Sequence, residues 1–395
     1  MGCCKCNAAA AALLALGGFG IAQAAEPEWG FKATALGGAP IDEGAGHSAR
    51  VTLEPSVKVK GSPLELRAHA RLRYLDQVDD ERADADLREL TAAWRGGDAS
   101  LTVGAQQVNW GRMDILRVTD VVNPIDRHDL FYEELPEAKL ASWMVNAEWQ
   151  HESQVVQFVA APHVAIDRVP RRLGGLPVQI TRPSASLDNA TYALRYGFEV
   201  AAWNADLVAV RGWQTSPELF PVVDASGLRL QGALFRQNSA GFSADRPFGS
   251  IVLRVEGLYA RVTPHDLPAG FGLTAQRLVT LAGGADLRSG SWFFAGQVIA
   301  QRNLDAAAGF GAPRNNAYVS GIVQRKWLQE RLTTRALHIR ETHFGSSWTS
   351  LQATYELSPH QEVRVQADWF RGQPTEPFGA FADRSRVAAS LRLAY

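Results

Sequence analysis

The chain has 395 residues, 40 of them basic and 41 acidic for a formal charge of -1, and it is 46% apolar and 9% aromatic with 11 tryptophans. This balance leaves no basic footprint for a phosphate backbone and argues against nucleic acid as a partner. After the N-terminal segment there is no uninterrupted apolar stretch of the roughly 18 residues a helical span needs, so a membrane crossing by this chain would be made with strands.

Residues 1–24 read as a cleaved secretory signal peptide. Lys5 supplies the positive start, an apolar run covers 8–21, and Ala22-Gln23-Ala24 forms a small-residue cleavage site. The mature domain is then 25–395, with 39 basic against 41 acidic residues. Cys3, Cys4 and Cys6 all precede the apolar run, so the exported part has no thiol for a disulfide, a thiolate metal site or a cysteine nucleophile.

Alternating segments fill the rest. Eighteen strands are predicted, at 28–38, 47–60, 64–76, 86–95, 98–107, 140–150, 153–162, 187–199, 201–213, 227–240, 248–262, 275–288, 291–302, 316–327, 331–342, 346–357, 360–371 and 385–395; merging two of them would give 16. Connections after even-numbered strands are mostly tight, as at Gly61-Ser62-Pro63, Gly96-Gly97, Ser289-Gly290 and Ser358-Pro359. Those after odd-numbered strands are mostly long, including 108–139, 163–186, 214–226 and 372–384. Short periplasmic turns alternating with long external loops predict an all-β fold, a transmembrane antiparallel barrel of about 16 to 18 strands. A secreted soluble β-protein is the competing reading.

The third strand puts Leu64, Leu66, Ala68, Ala70, Leu72 and Tyr74 on one face and Glu65, Arg67, His69, Arg71 and Arg73 on the other. Lipid cannot solvate that second face, because a cation at mid-membrane costs about 2–4 kcal/mol in a barrel. The eleventh strand sets Ile251, Leu253, Val255 and Tyr259 against Arg254 and Glu256, and the seventeenth carries Arg364 on its charged face. Val387, Ala389, Leu391, Leu393 and Tyr395 end the chain on one face, with Arg392 on the other. An alternating last strand with a terminal aromatic suits the barrel-assembly machinery, and outer-membrane lipid is the expected surrounding of the apolar faces. Two readings stay open for Arg67, His69, Arg71, Arg73, Arg254, Glu256, Arg364 and Arg392: a lumen that selects solutes by charge, or ion pairs that stiffen the wall.

The expected third external loop, 108–139, holds the most distinctive local sequence. Gln106-Gln107-Val108-Asn109-Trp110-Gly111-Arg112-Met113-Asp114 is followed by Asp120-Val121-Val122-Asn123-Pro124-Ile125-Asp126 and then by Ser142-Trp143-Met144-Val145-Asn146-Ala147-Glu148-Trp149. These segments resemble, in this order, the proteobacterial outer-membrane family known as domain of unknown function 1302. The likeness continues at Phe248-Gly249, at Leu253-Arg254-Val255-Glu256 and from Phe378-Gly379 to Arg386. The resemblance implies an outer-membrane barrel with no assigned solute, and neighbouring genes for inner-membrane transporters of the resistance-nodulation-division class. In porins a loop at this position folds into the lumen, which is positional analogy alone. Trp110, Arg112, Asp114, Arg117, Asp120, Asn123 and Asp126 are therefore candidates for a constriction, the alternative being a salt-bridged surface loop.

No Gly-x-Ser-x-Gly elbow, His-Glu-x-x-His pair or phosphate loop occurs, so no enzyme activity and no cofactor are expected. The function expected is a porin-like channel passing or exporting a small or amphipathic solute. The alternative is an exit or acceptor component for a lipid or polysaccharide delivered by an inner-membrane transporter.

Overall fold

A computed structural model describes residues 26–41, 48–77, 80–113, 115–127, 135–173, 176–224, 227–265, 275–305, 313–373 and 376–395. The expected leader over 1–24 and the loop residues Asp114, His128, Asp129, Glu133 and Glu134 lie outside them.

The described residues form β1 (Pro27–Pro40), β2 (Ser48–Lys60), β3 (Leu64–Gln77), β4 (Asp80–Gly96), β5 (Ala99–Gln106), β6 (Ser142–His151) and β7 (Gln154–Ala161) in chain order. Then come the short β8 (Arg172–Leu173) and β9 (Leu176–Ile180), followed by β10 (Thr191–Val200), β11 (Trp203–Trp213), β12 (Glu218–Asp224), β13 (Gly227–Phe248) and β14 (Ile251–His265). The last third holds β15 (Gln276–Ser289), β16 (Trp292–Asn303), β17 (Asn315–Trp327), β18 (Leu332–Glu341), β19 (Ser347–Ser358), β20 (Gln361–Arg371) and β21 (Arg386–Ala394).

Eighteen of these strands close an antiparallel barrel, each paired to its neighbours in chain order. Closure is made by β1 against β21, where Phe31 and Tyr395 exchange two backbone hydrogen bonds of 2.8 Å. Closing the sheet leaves no edge whose amides would be stranded in hydrocarbon. β8, β9 and β12 lie outside this circuit: β12 pairs with the first half of β13, and β9 runs parallel to it.

Alternation places the side chains as the sequence predicts. Leu72, Tyr74, Val255, Val298, Leu351, Val365 and Leu391 face outward and are exposed, while Arg71, Arg73, Glu256 and Asp368 face inward and are buried. A continuous exposed apolar belt on a closed sheet is a lipid-facing surface. Trp94, Trp149, Trp292 and Trp327 sit beside the tight turns and mark one membrane boundary.

Three features differ from the expected boundaries. The gap expected at 241–247 is strand, and the turn falls at Gly249, whose φ of 60° is the left-handed value a tight turn needs. β4 begins at Asp80 rather than near 86, and β13 runs for 22 residues. Both rise beyond the roughly 9–11 residues that cross a bilayer, so their outer ends need no apolar partner and lose the alternation that makes a strand readable.

Candidate functional site in the lumen

The segment between β5 and β6 leaves the wall because β5 is only eight residues long. At Gly104 the backbone adopts φ 134°, and a Cβ there would meet the Leu90 carbonyl oxygen at 2.0 Å, so this departure requires glycine. Asn123 fastens the two ends of the segment together. Its Oδ1 accepts from Val108 N at 2.8 Å, while its Nδ2 donates to Gln106 O at 3.1 Å and Leu140 O at 3.0 Å. Asn123-Pro124 is thus a buried brace, reinforced by Leu140 N donating to Pro124 O at 2.8 Å.

From that brace the segment crosses the lumen. On one side Val108, Trp110 and Val122 pack with Met144, Val159, Ala193, Val208 and Val210 of the inner wall. Trp110 is 3% exposed and donates Nε1 to Gln157 Oε1 at 2.7 Å, which makes it an anchor against β7. On the far side Ile115 enters a second apolar cluster with Ala295, Ile322, Leu337, Ile339, Phe370 and Phe378. Burying each such large side chain contributes about 1.5–3 kcal/mol, so the two clusters together hold the segment firmly at both walls.

Polar contacts fix it between them. Glu256 of β14, 1% exposed, accepts from Met113 N at 2.8 Å, Thr119 N at 3.0 Å, Thr119 Oγ1 at 2.8 Å and also Arg112 N. A carboxylate gathering that many donors is a charge-assisted latch. Gly111, with φ 81°, lets the chain turn over it, since a Cβ would come within 3.1 Å of Glu256 Oε1. The Arg112 guanidinium pairs with Asp206 at 2.6 Å and with Asp245.

Nearer the opposite wall Asp126 pairs with Arg73 and, at 3.3 Å, with Arg168. Lys139 meets Asp120 and donates to Asn109 Oδ1 at 2.7 Å. Burial pushes the Lys139 ammonium below its ordinary value, with Asp120 pulling it part of the way back. Arg117 is lowered likewise by burial, and it donates to Asn123 O at 2.9 Å. A single helical turn, α1 (Leu135–Ala138), brings Glu137 to within 3.0 Å of Lys32 on β1. Burial opposes ionisation of Glu137, but Lys32, with Arg364 and Arg71 behind it, outweighs that and holds the carboxyl below its ordinary value.

The arginines of the charged wall are paired. Arg71 meets Glu54 at 2.8 Å, Arg392 meets Glu362 at 2.7 Å and Arg364 meets the same carboxylate at 3.4 Å. Arg67 pairs with Glu65, and Arg254 pairs with Asp286. His69 lies 3.8 Å from Glu54. Glu256 takes loop amides in place of an arginine, and Asp368 accepts from Trp348 Nε1 at 3.1 Å and Gln366 Nε2 at 3.0 Å. Pairing does not make these groups equivalent: the Arg67 side chain is 38% exposed, Arg392 35% and His69 34%, whereas Arg73 is 1%. The first three face lumenal water, and Arg71 and Arg73 lie behind the inserted segment.

Two spaces flank the segment on this charged wall. A narrow gap of about 30 Å³ is lined by Lys32, Arg50, Arg71, Arg364 and Arg392 against the carboxylates Glu54, Glu137 and Glu362. A polar cavity of about 390 Å³ lies below, among Glu65, Arg67, His69, Arg88 and Asn109. Sequence reasoning missed Glu54, Glu137, Gln157, Asp206, Asp245 and Ile115. An inward apolar patch was signalled in β18, where His338 and Arg340 face outward and Leu337 and Ile339 inward, the reverse of the usual order.

A closed barrel with an apolar outer belt, aromatic boundaries and a charged interior is an outer-membrane β-barrel, and the protein resides in the bacterial outer membrane. Solved structures share this architecture. Acinetobacter baumannii OccAB1 is similar with a TM-score of 0.58 at 7% identity, over 93% of this chain and 95% of that one. Pseudomonas aeruginosa OccK3 (OpdO) is similar with a TM-score of 0.56 at 12% identity, over 94% and 95% respectively. A loop L8 deletion mutant of OmpT, an outer membrane protein of Vibrio cholerae, gives 0.50 at 8% identity over 94% and 99%. At such identities the likeness is one of fold. No protein-family model matches the chain, and no curated protein matches it in sequence.

Proposed function

We propose that the protein is a porin-like channel, working without chemistry, whose conductance is limited by the described residues of the 108–139 segment (108–113, 115–127 and 135–139) and whose solute passes along the charged wall of β1–β5, β20 and β21. The observation that carries this reading is the attachment of the segment around the lumen, with Arg112 seated on β11 and β13, Ile115 among β16, β17, β18 and β20, and Asp126 and Glu137 on β3 and β1. Around the narrow gap five cations face three carboxylates, so the field inside a low-dielectric wall favours anions.

A second reading is favoured by how small that gap is. About 30 Å³ admits on the order of one water. A segment packed this closely against the charged wall suits an exit or acceptor component that opens with a partner, such as the inner-membrane transporter of the resistance-nodulation-division class implied by the family resemblance.

Planar-bilayer recordings of the refolded protein, with and without deletion of 112–134, separate the two. The channel reading expects a small anion-selective conductance that widens on deletion, and Glu256→Gln should act in the same direction. A silent wild type that conducts only after deletion supports the partner-dependent exit, and silence in both forms refutes the limiting role of the segment.

A further inference from the structure

The outer surface of the barrel is apolar over most of its height, which makes a cation there informative. Arg325 lies on the outward face of β17, two residues before Trp327 and the tight turn at 328–331. Its guanidinium carbon is 3.5 Å from the Trp327 ring centre and 4.7 Å from that of Trp292 on β16. Trp327 is itself fixed, donating Nε1 to Thr334 Oγ1 at 2.9 Å.

No carboxylate of the described residues pairs with Arg325, and its Nε is buried without a hydrogen-bond partner. The acid nearby in sequence, Glu330, is engaged by Lys326 at 2.7 Å. Two tryptophans hold the guanidinium through cation–π contact and leave its remaining donors to the bilayer. At this depth, just above the tight turns, the anions available are phospholipid phosphates, and a juxtamembrane cation gains about 1 kcal/mol from an anionic leaflet.

Beside the guanidinium a groove of about 440 Å³ runs over the outward faces of β17 to β20. Its floor is Ala336, Ala353 and Ala367, small residues set between Val323, Leu351 and Val365 on the same face. Alanines across three adjacent strands make a depression between these bulkier side chains, open to the hydrocarbon and continuous with the cation.

We propose that Arg325, clamped between Trp292 and Trp327, binds the phosphate of a glycerophospholipid of the periplasmic leaflet, with one acyl chain lying in the groove over Ala336, Ala353 and Ala367. This is a defined lipid site rather than general solvation of the belt, because head and tail are recognised by adjoining features.

The test is titration of the full chain, refolded in a non-ionic detergent, with dioleoyl phosphatidylglycerol, read by native mass spectrometry. One lipid is expected to bind more tightly than the rest, with about fivefold loss of affinity in Arg325→Gln and no loss in Arg302→Gln, a control on the outward face of β16 at the opposite rim. Ala353→Leu, which fills the groove and leaves the guanidinium in place, should weaken the same lipid, and excess inorganic phosphate should not displace it. Equal binding by wild type and Arg325→Gln overturns the proposal, as does unchanged binding by Ala353→Leu or displacement by inorganic phosphate.

Discussion

Arg67 and Arg73 are two arginines on one face of one strand with separate tasks. Arg67 reaches lumenal water, and its pair with Glu65 is screened, so Arg67→Gln should cost no more than about 1 kcal/mol of stability. It should instead shift the reversal potential toward cations in asymmetric chloride solutions. Arg73 is enclosed with Asp126, and Arg73→Ala would leave that carboxylate with Arg168 at 3.3 Å as its nearer remaining partner. A loss of about 3 kcal/mol is expected, toward the low end for a broken buried pair, visible as a lower urea midpoint together with a larger and noisier conductance. Glu137 adds a dependence on pH. Its folded value lies below the ordinary 4.5, so its hold on Lys32 is complete above 4.5 and is lost as the pH falls through that folded value. Conductance should be steady down to about pH 4.5 and rise as the pH falls through the folded value below it; a Glu137→Gln variant with the conductance and pH response of the wild type would remove Glu137 from the restraint.

Single elements account for how the segment is aimed inward. β5 ends eight residues after it starts, and Gly104 gives the strand a backbone conformation closed to other residues. Gly104→Ala should therefore reduce the yield of folded barrel, scored as the heat-modifiable band on a gel, more than alanine at Gly283 of β15, where a Cβ meets nothing within 4 Å. All eighteen barrel strands were legible because lipid on one side and charge on the other enforce a period of two, as in Leu72-Arg73-Tyr74. What was not legible lies where that constraint lapses. β12 and β9 fall in stretches expected to be loops, since they pair above the bilayer with the first half of β13 and need no lipid-facing side chains. The charged residues of the lumen could likewise be assigned to a face but not to partners. Which carboxylate meets Arg71 depends on the register of β2 against β3, and the seating of Ile115 among Ile322, Leu337 and Phe370 depends on contacts some two hundred residues apart.

At the scale of the molecule, closure depends on the two ends of the chain meeting. Tyr395 completes the β1–β21 seam by its backbone exchange with Phe31, and its ring stacks on His360 at 5.1 Å. Removing Tyr395 should lower the fraction that becomes heat-modifiable after refolding, whereas Tyr395→Phe, which keeps the ring and the amide, should not. The uneven height of the strands has a different consequence. Among the described residues the external rim stands highest over β12 and β13, while β18 and β19 are joined by only five residues, 342–346. Antibodies raised against whole cells should therefore find more protein to hold at β12 and the first half of β13 than at 342–346, which stays close to the bilayer.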